Sequence, residues 1–272
     1  MRLHLLKRLR RRALVEALFQ DVDQARVDGI HRPQQEGSLV PRRWLRGFLS
    51  DSGEVGVACP GGTPISAHGP VNAPVEPDFD AAAAWARATL ETELPSHLTY
   101  HCATHTIDDV VPAAGRLADA EALAARDRIV LLTAAWFHDL GYIVRAHGHE
   151  DIAIALAARE LPARGYAPED IEAVATLIRA TRLPQRPENH LAGLLADADL
   201  DVLGRDDFLV YNDALRRELA AMGRRVDDAA WLDEQIAFLA QHRYHTSTAR
   251  AQREEAKARN LQCLRERRAA LA

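Results

Sequence analysis

The amino-acid sequence predicts an all-α protein, a bundle of many short and medium helices. Three observations carry that expectation. From about Asp78 onward, apolar residues recur at helical spacing. No convincing run of alternating polar and apolar residues interrupts them. Helix starts and stops punctuate the same stretch: Asp78, Pro168-Glu169-Asp170 and Asp227-Asp228 suit N-termini, and Gly165 and Gly223 stand where helices should end.

The chain divides near residue 78. Residues 1–78 read as a poorly structured leader. Met1 to about Gln24 is rich in helix formers and carries the basic run Lys7-Arg8-Leu9-Arg10-Arg11-Arg12, either an exposed helix or a basic amphipathic one facing an acidic surface. It lacks the apolar core of a secretory signal. From Asp28 to Pro77 glycines and prolines break any long element, although Trp44 to Leu49 suits a short helix. Residues 79–272 form the helical domain. Helices are expected from Asp80 to Leu94, His101 to Val111 (stopped by Pro112), Ala120 to Arg126, Asp127 to His138, His149 to Leu161 and Pro168 to Arg182. Further helices are expected from His190 to Asp199, Asp206 to Met222, Asp227 to Gln241 and Thr246 to Leu271.

Composition narrows the function classes. The 272 residues carry 34 Lys and Arg against 39 Asp and Glu, a net charge of −5, which disfavours nucleic-acid binding through bulk charge. Cys59, Cys102 and Cys263 form no CxxC pair, so neither a disulfide framework nor a thiolate zinc site is expected. A reducing, cytoplasmic location is. No run of about 18 apolar residues is present, so no membrane span is expected. Twelve histidines exceed what packing alone needs.

The sharpest local feature is Trp136-Phe137-His138-Asp139-Leu140-Gly141-Tyr142. An apolar helix runs into adjacent His and Asp and stops at a glycine. Burying such a pair is costly unless something compensates. A divalent cation would do so, and so would a simple arrangement of a terminal histidine and a capping aspartate. His101 and His105, four apart, share one helix face. Asp197 and Asp199 lie at the end of a leucine-rich helix, two apart, so only one should face any shared ion. Histidines and carboxylates together suit Mn, Mg, Fe, Co or Ni better than a structural zinc.

The ordered set His105, His138-Asp139 and Asp199 resembles the H…HD…D signature of the HD-domain superfamily of metal-dependent phosphohydrolases. The resemblance extends to a bacterial subgroup. It includes Tyr100-His101 with His105-Thr106, Ala134 to Asp139, His149-Glu150, Ala180 to Pro187, Asp197 to Phe208 and His242 to Thr246, roughly Ser96 to Leu264 in all.

The resemblance implies an HD-domain-like helical bundle with a central metal site, one divalent ion per chain, held by His105, His138, Asp139 and Asp199. It implies hydrolysis of a phosphoester of a small molecule, a nucleotide for preference, by metal-activated water. His149, Glu150, Arg182 and Asp197 are the catalytic candidates. Arg145, Arg182 and His101 are the candidates for holding substrate. Some HD nucleotidases have a Glu three residues after the HD aspartate, whereas this chain has Tyr142. Water activation then falls to the ion, Glu150 or Asp197. The alternative is a non-catalytic HD module that binds a nucleotide or protein partner in signalling. A third reading makes the metal structural in an oligomerising bundle. The basic C-terminal stretch His242 to Arg268 either touches an anionic substrate or presents a solvated face packed through Leu261 and Leu264.

Overall fold

The computed structural model describes residues 76–271. Among them are nine α-helices and no strand, as expected of an all-α bundle. The expectations for residues 1–75, including the basic helix and the Trp44 to Leu49 helix, lie outside the described residues. The helices are α1 (Phe79–Glu93), α2 (Val111–Ala120), α3 (Ala125–Phe137), α4 (His149–Glu160), α5 (Pro168–Thr181), α6 (His190–Asp199), α7 (Phe208–Ala221), α8 (Asp228–Gln241) and α9 (Ser247–Ala269).

Local chemistry sets most boundaries. The side chains of Asp78, Asn189, Asp227 and Thr246 each accept a backbone N–H three residues on, starting α1, α6, α8 and α9. Gly165 and Gly223 take positive φ at helix ends. Helix α3 is the centre of the bundle. Leu131, Ala134, Ala135 and Phe137 are wholly buried, and α1, α2, α4, α5 and α6 all touch it. A second apolar cluster joins Leu200, Val202 and Leu203 to Phe208, Leu239 and Leu264, so α7, α8 and α9 pack around the short turn Asp201–Gly204. Helix α9 lies almost in contact with that turn. A Cβ on Gly204 would stand 2.5 Å from the Arg253 carbonyl oxygen. Arg253 also makes a forked pair with Asp201, at 2.7 and 2.9 Å. The packed-face reading of the C-terminal stretch is the one observed for Leu264.

Two expected helices differ. Pro112 does not stop a helix begun at His101. The chain enters a wide π-helical turn at His105–Val110 and continues as α2, with Pro112 in its first turn. A proline costs little there, because first-turn N–H groups have no partner in the helix. Ala120 to Arg126 is not one helix: residues 121–124 separate α2 from α3. Ala122 adopts φ +49°, and Leu123 N–H returns to the Ala118 carbonyl, closing α2 before α3 begins.

Candidate metal centre

Two apolar helices end at one place. His138 caps the C-terminus of α3, with Asp139 next, and Asp199 is the last residue of α6. The carbonyl ends of both helices carry partial negative charge, so the site is electrostatically prepared for a cation. His105 enters from the π turn, a helix distortion common at functional sites. His105 Nε2 lies 3.6 Å from Asp139 Oδ2 and 3.5 Å from Asp199 Oδ1. His138 Nε2 lies 3.4 Å and 3.5 Å from the same two oxygens.

These separations are too long for good hydrogen bonds. Nε2 of His105, Nε2 of His138 and Oδ2 of Asp139 are buried without a hydrogen-bond partner among the described residues. One ligand atom from each of these residues falls within a 4.8 Å span. Adjacent ligands about 2.1 Å from one ion stand about 3 Å apart, so a modest contraction would seat a cation here. The orientation is fixed from behind. His138 Nδ1–H donates to the Ala135 carbonyl at 2.8 Å, which turns Nε2 toward the carboxylates.

Charge follows the geometry. Burial opposes ionisation of Asp139, but His138 above all, then His149 and His101, hold it well below the usual carboxylate range. Asp199 is likewise brought down to about 2 against the effect of burial, by His105 and His138. Burial works against a charge on His138, yet Asp139 and Asp199 raise its pKa well above the ordinary value. The site holds two ionised carboxylates whose demand for positive charge a bound cation would meet.

The wall of the site is aromatic. His149 is the first residue of α4, and its Nε2 lies 3.3 Å from Asp139 Oδ1. That placement needs Gly141: a Cβ there would fall 1.9 Å from the His149 carbonyl oxygen. Tyr142 packs against both His101 and His149, at 4.2 Å between ring centroids in each case. It fills the wall beside the candidate ligands. Tyr100 lies 5.0 Å from the His105 ring.

The other expected residues divide. Glu150 is buried beside His149, with its Oε1 4.0 Å from His149 Nε2. Arg182 reaches it from the exposed end of α5: Nη2 donates to Asp151 at 2.7 Å, and Nε lies 3.5 Å from Glu150 Oε2. Arg145 is exposed, and its Nη2 lies over Gly148 at the start of α4. Asp197 is a correction. Its carboxylate accepts from His245 N, Thr246 N and Thr246 Oγ1 at 2.7, 2.8 and 2.7 Å. It caps the start of α9, and those three donors, not the candidate ligands, are what its carboxylate meets. Asp199 is the member of the pair that faces the imidazoles. Glu218 of α7 escaped the sequence reading. It is buried against His101, and a lone glutamate on an amphipathic helix carries no spacing signal.

The backbone has a solved likeness. It is similar to the crystal structure of a structural-genomics target from Lactobacillus plantarum, with a TM-score of 0.53 and 17% identity, covering 71% of this chain and 96% of that one. At that identity the likeness shows the fold alone. No protein-family model matches the chain. No curated protein matches it either. Among the described residues no helix is long and apolar enough to cross a membrane.

Proposed function

We propose that this chain is a metal-dependent phosphohydrolase of the HD type, acting on a small phosphorylated molecule such as a nucleotide. The observation that carries the proposal is the convergence of three buried, unpartnered ligand atoms, on His105, His138 and Asp139, beside the ionised Asp199. A buried polar atom without a partner costs about 1–3 kcal/mol, so three together ask for an occupant.

His105, His138, Asp139 and Asp199 would hold one divalent ion, with Mn, Mg, Fe, Co and Ni suited to the nitrogen and oxygen donor set. Such an ion supplies a lowered pKa for water and polarisation of a phosphoryl oxygen. The protein groups around it do the rest. His149 Nδ1–H donates to the Ala146 carbonyl at 2.9 Å, which turns Nε2 toward Asp139 and the reacting region. Burial opposes charge on His149, but Asp139 and Glu150 raise its pKa, which suits a group that holds or passes a proton. Arg182, half-exposed at the rim, supplies N–H donors to an arriving phosphate by exchanging its bond to Asp151. Tyr142 keeps His101 and His149 apart and limits water at that wall.

The test is metal analysis joined to a phosphoester panel. Purified protein should carry one divalent ion per chain and hydrolyse a generic phosphoester when Mn or Mg is added. Asp139→Ala should lose both properties. An Asp139→Ala protein that keeps its metal, or a loaded wild type inert on nucleotides and diesters alike, defeats the proposal.

A further inference from the structure

Glu218 is the buried carboxylate that this mechanism leaves unused. It lies on α7, outside the helices that bring the candidate ligands together, and is 1% exposed. A buried carboxylate is costly without donors. Glu218 has three, all from one dipeptide 117 and 118 residues away in sequence: Tyr100 N at 2.8 Å, His101 N at 3.0 Å and His101 Nδ1 at 2.5 Å. These donors outweigh burial and hold its pKa below the usual value.

A purely structural tie between this segment and α7 already exists, because Thr99 Oγ1 donates to the Ala214 carbonyl at 2.7 Å. What Glu218 adds is control of one imidazole. With Nδ1 committed to the carboxylate, Nε2 is the one polar atom left on the His101 ring. It has no partner among the described residues and is not among the buried unpartnered atoms, and the side chain is 22% exposed. The ring is clamped face to face with Tyr142, at 17° between planes, and stands edge-on to His105 at 5.9 Å. An open ring nitrogen is thus held rigidly beside the candidate ion site.

We propose that Glu218 is a positioning residue that fixes His101 so that Nε2 meets a non-bridging oxygen of the phosphoryl group bound beside His105. With the Nδ1 proton bonded to the carboxylate, the ring presents Nε2 to the phosphoryl oxygens in one orientation, accepting from a protonated oxygen or donating a proton that binds together with the anion. The inference rests on the phosphohydrolase reading, which it extends to α7.

The experiment uses the full chain loaded with Mn, in five forms: wild type, His101→Ala, Glu218→Gln, the double variant and Thr99→Val. Three quantities are read: Mn content, calorimetric affinity for inorganic phosphate, and kcat/KM on a generic phosphoester. Mn content should be unchanged throughout. His101→Ala and Glu218→Gln should each weaken phosphate binding about tenfold, the scale of one charge-assisted hydrogen bond. Both should lower kcat/KM by at least as much. The double variant should be no worse than His101→Ala, because Glu218 acts through that ring. Thr99→Val should bind phosphate as wild type does. Additive losses, wild-type phosphate affinity in Glu218→Gln, or loss of Mn alongside phosphate would overturn the inference. Should Glu218→Gln fail to fold, Glu218→Asp keeps the charge, withdraws it by one methylene and is read in the same way. A wild type that binds phosphate with this dependence yet hydrolyses no ester overturns the enzyme reading and leaves the positioning role standing. A wild type that binds no phosphate overturns the positioning role itself.

Discussion

Replacing Gly141 by alanine tests whether the turn after the His-Asp pair sets the geometry of the site. The new Cβ would lie 1.9 Å from the His149 carbonyl oxygen, 2.6 Å from its carbon and 2.8 Å from its Cα. Ordinary contact begins near 3.4 Å, so the backbone at Gly141 and the start of α4 must separate by about 1.5 Å. No flexible side chain can absorb that movement, because the obstructing atoms are main chain. Overpacking of this kind costs up to about 3 kcal/mol. For a domain of this size that lowers the melting temperature by about 6–12 °C. His149 moves with α4, away from Asp139. On the catalytic role proposed for His149, a displacement of more than an ångström should cost turnover about a hundredfold. Thermal melts and phosphoester turnover at saturating Mn measure the two effects. Gly223→Ala is the control: it meets the strain of φ +92° but no neighbouring atom. It should cost about 1 kcal/mol and leave turnover intact. A Gly141→Ala protein that melts and turns over like wild type, or one less damaged than Gly223→Ala, would refute the reasoning.

The two neighbouring aspartates of α6 should separate cleanly. Asp197→Ala removes three hydrogen bonds from the start of α9 and should destabilise by about 2–4 kcal/mol while keeping its metal. Asp199→Ala should melt near wild type and lose metal. Melts paired with metal analysis decide it, and the reverse pattern would exchange their roles. His242 sets a pH prediction. Burial, then Lys257, His245 and Arg243, push its pKa down to about 3, against about 6.5 in an unfolded chain. Between those values the unfolded chain binds a proton that the folded one refuses, so stability falls as pH drops through that window. Urea unfolding at pH 7 and pH 5 should show a larger loss for wild type than for His242→Gln. Equal losses would remove His242 from the account.

Much of the scaffold was legible because helix ends are written in local chemistry. α6 spans His190–Asp199 as its leucine pattern requires, and α8 follows its Asp227 cap. Pro112 misled because a proline ends one helix or begins another, and only the π turn before it decides which. The His138-Asp139 pair was legible for a related reason: charged residues at the end of an apolar helix conflict with burial unless something answers them, whereas His105 and Asp199 entered as ligands through the resemblance. Asp197 and Asp199 were not separable by spacing, since the difference lies in what each meets, and the donors to Asp197 come 48 and 49 residues later. Glu218 was invisible for the same reason. Its partners at 100 and 101 depend on how α7 packs, which no local pattern records.

The bond from Asp197 to the start of α9 gives the site an order of assembly. His105, His138 and Asp139 belong to segments that precede α4 in the chain and leave the ribosome first. Asp199 sits between two anchors that arrive late: the donors of residues 245 and 246, and the Arg253 backbone against Gly204. The fourth candidate ligand is therefore braced only after the final helix has docked. A chain cut before residue 245 should therefore keep His105, His138 and Asp139 while leaving Asp199 without the brace that Asp197 makes to residues 245 and 246.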